Sequence, residues 1–168
     1  MSRFAPAFHL EGMKRTMILL MAALAASVPV RAAGPTVEVA LTVGGAAYNV
    51  KGPGECIHSD ASTIYEAPAT QWGVRHDAAD RDLSFALWRL RKGGPDMLTL
   101  TIVLGGKTHR VNTTKVGDKT AGLRGSGSAA FEKTGAGGVF TIDAIADTGA
   151  KISGRVTCSG FAKPEDNG

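Results

Sequence analysis

Residues 36–51 read Thr-Val-Glu-Val-Ala-Leu-Thr-Val-Gly-Gly-Ala-Ala-Tyr-Asn-Val-Lys. Val37, Val39, Leu41 and Val43 alternate with Thr36, Glu38, Ala40 and Thr42. A period of two belongs to an extended chain with one face against a core and the other toward water. Gly44-Gly45 follows, and Tyr48 and Val50 then resume the alternation. Two such runs around a glycine pair predict a β-hairpin, because tight primed turns need positive φ at their central positions.

The pattern recurs along the chain. Leu83, Phe85 and Leu87 alternate with Ser84, Ala86 and Trp88. Leu98, Leu100, Ile102 and Leu104 alternate with Thr99, Thr101 and Val103, and Gly105-Gly106 turns that run into residues 107–113. Residues 139–146 and 151–158 pair around Asp147-Thr148-Gly149-Ala150, with Ile152, Val156 and Cys158 sharing one face. Residues 128–132 read as a further strand. Residues 59–70 read as an irregular connection, 72–76 as a short strand, and 116–127 as mostly loop. No stretch beyond residue 32 carries a helical stripe. The expected fold is all-β: an antiparallel β-sandwich of about nine short strands, with a β-barrel as the second choice. The length of 168 residues suits one domain.

The N-terminal segment reads differently. Lys14 and Arg15 precede an apolar run from Met17 to Val28, Pro29 breaks it, and Val30-Arg31-Ala32 supplies small residues at the positions a signal peptidase reads. Residues 1–32 are therefore expected to be a secretory signal peptide, with Met13 as the candidate initiator. The apolar run is shorter than a membrane span. No cysteine follows it to carry a lipid, so the mature chain is expected to be soluble, without a transmembrane segment, in a bacterial periplasm or outside the cell. Residues 33–160 form the expected β domain, and residues 161–168 a polar, flexible tail. Residues 1–32 hold Arg3, Lys14, Arg15 and Arg31 against Glu11, which leaves 15 basic and 14 acidic residues in the mature part. That near-balance argues against a nucleic-acid partner.

Cys56 and Cys158 are the two cysteines. In an oxidising compartment an even pair most simply forms one disulfide. It would close a loop of about 100 residues, worth roughly 4 to 5 kcal/mol in the chain-entropy picture. The competing arrangement is a metal site from Cys56, His58 and His76, since residues two apart on a strand point to the same side.

Nucleophile elbows, phosphate loops, zinc-protease helices and calcium loops are absent from the sequence. Ser59 and Asp60 flank His58, but adjacent strand residues point to opposite faces, which disfavours a triad. Asp60 and Glu66 flank Tyr65 without a known separation between the two carboxylates. No cofactor is implied. One candidate contact surface stands out. Trp88 lies on the strand face opposite Leu83, Phe85 and Leu87, either exposed or covered by the loop containing Pro95. Arg89, Arg91, Lys92, Lys107 and Arg110 belong to a basic excess running from Arg89 to Arg124. Such an excess suits another envelope protein or an anionic surface, although strand charges on a solvated face give the same count.

The segments Val39-Ala40-Leu41-Thr42-Val43-Gly44-Gly45, Tyr48, Val50, Gly52 and Cys56 stand near the start of the mature chain. Residues 125–133 (Gly-Ser-Gly-Ser-Ala-Ala-Phe-Glu-Lys), Phe140-Thr141-Ile142 and Val156-Thr157-Cys158-Ser159 stand near its end. This layout resembles that of the mycobacterial lipoprotein antigen family, secreted β-proteins with one disulfide. Residues 61–98 have no counterpart, and the lipid-attachment cysteine is absent. The resemblance implies a sandwich bridged by Cys56 and Cys158, and no catalytic residue. The expected function is an exported, non-enzymatic binding or envelope-interaction module. An inhibitor of a hydrolase is the alternative, and an enzyme with an unrecognised site the third reading.

Overall fold

Alternating apolar residues give each strand one dry face, and dry faces must cover one another. The computed structural model describes residues 34–163. The expected signal segment and residues 164–168 of the expected tail lie outside the described residues. Ten strands run in chain order: β1 (Thr36–Val43), β2 (Ala46–Pro53), β3 (Glu55–Ile64), β4 (Ala67–Ala78), β5 (Arg81–Leu90), β6 (Met97–Leu104), β7 (Lys107–Asn112), β8 (Ser126–Thr134), β9 (Gly137–Ile145) and β10 (Lys151–Cys158). They form two antiparallel five-stranded sheets. Sheet A has the order β2-β1-β10-β9-β8, and sheet B is the meander β3-β4-β5-β6-β7. The architecture is a β-sandwich. Among the described residues, no helix is long and apolar enough to cross a membrane.

The inner faces are those the alternation predicts. Val37, Val39, Leu41 and Val43 of β1 meet Leu83, Phe85 and Leu87 of β5 and Leu98, Leu100 and Ile102 of β6 in one buried cluster. Each fully buried aliphatic or aromatic side chain there contributes about 1.5 to 3 kcal/mol. Ile152, Val156 and Cys158 share the inner face of β10, as expected. The first hairpin turns at Gly44 and Gly45, with φ of 57° and 89°. A side chain at either position would face the left-handed penalty that glycine escapes.

The Cys56–Cys158 disulfide is present, with the two Cα atoms 6.2 Å apart. It ties the outer strand of sheet B to β10 of sheet A, so it pins the two layers together near one end.

Residues 59–70 are not an irregular connection. They complete β3 and begin β4, a hairpin that turns on Tyr65 and Glu66, and β4 extends well beyond 72–76. Both turn residues have positive φ, 49° and 70°. A turn without glycine or asparagine gives no sequence signal. The pairing also shifts between Ser59 and Ser62, so that Asp60 and Ala61 together face Thr70. That bulge interrupts the alternation the reading relied on. The segment 113–125 packs beside this hairpin: the Ala121 N–H donates to Tyr65 Oη (2.6 Å), Tyr65 Oη bonds Thr114 Oγ1 (3.1 Å), and Lys119 pairs with Glu66.

The tail expected from Phe161 begins with anchored residues. Phe161 packs on the core. Ala162 pairs in parallel with Ile57, its N–H donating to the Cys56 carbonyl (2.8 Å) and its carbonyl accepting from the His58 N–H (3.0 Å).

Candidate binding groove

Strand pairing places His58 of β3 directly opposite Trp72 of β4. Cross-strand partners share a face, so the two rings meet: they stack at 5.1 Å between centroids with 17° between planes. The His58 Nδ1 lies 3.2 Å from the Gln71 carbonyl, which fixes the ring's orientation, and Nε2 faces the Asp60 carboxylate at 3.4 Å. A carbonyl only accepts, so Nδ1 is the donor in this contact.

Behind Trp72 the aromatics continue. Phe131 of β8 lies 4.8 Å from Trp72 and 5.9 Å from Phe161, and Phe140 lies 4.9 Å from Phe131. The Arg89 guanidinium sits 5.4 Å from the Trp72 centroid. It is held there by two hydrogen bonds to Asp96, at 2.9 and 2.7 Å. That fork raises the Arg89 pKa further above its ordinary value.

These side chains border two adjoining concavities. A recess of about 310 Å³ is bounded by Trp72, Arg89, Phe131, Gly137 and Phe161, with His58, Asp60 and Lys133 at its border. An open groove of about 800 Å³ runs alongside, bounded by residues 58–62, Gln71, Ala136 and residues 161–163, and it shares His58, Asp60, Lys133 and Phe161 with the recess. Trp72 itself is only 6% exposed. The accessible ring surface is therefore that of His58, Phe131 and Phe161, all half-buried. Lys133 is exposed and makes no ion pair among the described residues. The groove thus offers ring faces, the exposed ammonium groups of Lys133 and Lys163, and a carboxylate beside the His58 imidazole.

The sequence-predicted contact residues do not form one face. Arg89 alone joins the groove. Trp88, one residue on, points to the outer face of sheet B and packs half-buried with Ile64, Ala69 and Met97 beside Val116. Val116, from the segment 113–125, packs on the same cluster. Arg91 and Lys92 are exposed just past the end of β5. Lys107 pairs with Leu104, which pairs with Arg81 at the beginning of β5. The strand between, at about 3.3 Å per residue, sets these two groups roughly 30 Å apart. Arg110 is tied to the loop after β9, its N–H donating to Asp147 Oδ1 at 3.0 Å.

The metal reading of Cys56, His58 and His76 fails because the Cys56 sulfur is committed to the disulfide. His58 and Asp60 do come together, on the same side of β3, but Ser59 does not join them: its Oγ accepts from the Ala61 N–H. Glu66 lies apart, paired with Lys119.

Sequence reasoning missed the groove, although one signal pointed to it. His58 follows Cys56 by two residues and Phe161 follows Cys158 by three. A bridge between the cysteines brings those rings to one place, as observed in the 6.1 Å separation of His58 and Phe161. Comparison with protein families, curated proteins and solved structures gives no match.

Proposed function

We propose that this chain is an exported, non-enzymatic binding module of a bacterial periplasm or cell exterior, and that the groove at His58, Phe161 and Lys133 is its binding site. The leader-like residues 13–32 and the disulfide support export. The observation that carries the binding reading is the juxtaposition of half-buried rings with Lys133, which has no ion-pair partner among the described residues, around one concavity. Concave sites with apolar walls and few directed polar groups are the usual setting for ligands. The ligand class that fits has a flat apolar face for His58 and Phe161 and an anionic group for Lys133.

The non-enzymatic part rests on the surroundings of His58. The nearby hydroxyls are engaged elsewhere, Ser59 with the Ala61 N–H and Ser62 with Gln71 Oε1. Among the described residues no hydroxyl or thiol hydrogen-bonds the imidazole, whose neighbours are the Gln71 carbonyl and the Asp60 carboxylate. The hydrolase-inhibitor reading drew on the basic run from Arg89 to Arg124, and that run spreads over both ends of sheet B.

The test is a titration of the mature protein followed by amide NMR, with phenylacetate and short oligouronates as anionic probes and their neutral analogues as controls. Anionic probes are expected to shift the resonances of His58, Lys133, Phe161 and Lys163, Lys133→Glu to weaken the preference for the anionic form, and Lys133→Glu with Lys163→Glu to abolish it. Shifts clustering at another face, or none with any probe, would overturn the assignment.

A further inference from the structure

A β-sandwich has four edge strands, and unpaired edges recruit other strands unless something prevents it. Here three of the four carry a device. The edge of β7 is closed: the N–H and carbonyl of Asn112 both bond Arg124, the Arg110 carbonyl accepts from the Asp147 N–H, and the Arg110 N–H is taken by the Asp147 side chain. Ala162 blocks the edge of β3, and the bulge at Asp60 and Ala61 bends it. The β2 strand carries Lys51 and ends in Pro53.

β8 is the least protected: its two charges, Glu132 and Lys133, stand together near one end, and no proline, bulge or bonded segment covers it. Its nine residues pair with β9 in unbroken register from Ser126 to Thr134. Seven of the nine are exposed. The first five, Ser-Gly-Ser-Ala-Ala, are small and uncharged, and no proline interrupts the strand. Among the described residues no hydrogen bond outside its ladder with β9 involves the backbone of residues 126–134.

We propose that β8 is a homodimer interface, two copies pairing antiparallel along it so that both A sheets join into one continuous sheet. The strand is self-complementary. With Ala130 on the two-fold axis, all nine residues overlap, Ser128 of one copy faces Glu132 of the other, and Gly127 faces Lys133. The two Glu132 side chains then stand about 13 Å apart along the strands, beyond the screening length at physiological salt. No like charges are opposed, and the two-fold closes the assembly at two copies. This inference is independent of the groove's ligand.

The experiment is analytical ultracentrifugation of the mature protein from micromolar to millimolar concentration, with amide exchange of residues 126–134. The expected result is a rise in average mass toward twice that of the chain, with β8 amides becoming protected in step. Ala130→Lys sets two ammonium groups face to face on the axis, and Ala130→Glu two carboxylates. Each variant alone is expected to stay monomeric with an unchanged circular-dichroism spectrum, and an equimolar mixture of the two to dimerise again. Asn49→Lys on the β2 edge is expected to leave association unchanged. A wild-type protein monomeric throughout the series overturns the proposal, as does a dimer that persists in Ala130→Lys.

Discussion

Tyr48 is fully buried on the inner face of β2, and its hydroxyl has no hydrogen-bond partner among the described residues. Its pKa is pushed up to about 12, by burial first and then by the negative charge of Asp82. In the unfolded chain the phenol ionises near 10. The unfolded form therefore sheds its proton first as pH rises, and alkali draws the equilibrium toward it. The stability held by the neutral phenol is complete below about pH 10 and is lost progressively up to about pH 12, a span worth roughly 3 kcal/mol. Tyr48→Phe deletes a buried hydroxyl that satisfies nothing, so it is expected to leave neutral-pH stability unchanged or raise it by about 1 kcal/mol. The variant is also expected to lose much of the alkaline slope. Urea titrations at pH 7, 9 and 11 measure both effects, and a variant less stable than wild type at pH 7 would mean that the hydroxyl is bonded after all.

At the scale of elements, two kinds of hairpin coexist. Those at Gly44-Gly45 and Gly105-Gly106 were legible in the sequence because the turn residues state the backbone they need. The β3–β4 hairpin was not, because Tyr65 and Glu66 occupy the same left-handed region without saying so. What holds them lies outside the hairpin, in the contacts to Thr114, Lys119 and Ala121. The groove was illegible for a related reason: His58, Trp72, Phe131 and Phe161 come from β3, β4, β8 and the segment after β10, and no local pattern joins them. Glu66→Gly relieves one strained residue, worth about 1 kcal/mol, and gives up an exposed ion pair worth less than that. A small rise in the urea midpoint at constant slope is the expected outcome. A fall would show that the Glu66–Lys119 pair outweighs the backbone strain.

At the scale of the whole molecule, the disulfide is the covalent tie between the sheets. Replacing both cysteines by serine is expected to remove roughly 4 to 5 kcal/mol, a large share of a net stability of about 5 to 15 kcal/mol. Calorimetry of the double variant beside the oxidised protein measures the loss, and a melting temperature within a degree or two of wild type would contradict it.

The pairing of β1 with β10, from Val37–Cys158 to Val43–Ile152, also dictates an order of events. Sheet B is a meander whose neighbours in space are neighbours in sequence, so its hairpins close over short loops. Sheet A cannot seat its central pair until the last strand has been delivered, and that pair closes a loop spanning nearly the whole domain. Folding speed falls as such distant contacts come to dominate. A chain threaded through a membrane from its N-terminus would hold β1 and β2 waiting, with Cys56 unpaired, while sheet B assembles first. The late arrival of β10 then completes the second layer and brings Cys158 within reach, which makes disulfide formation a reporter of the final folding step.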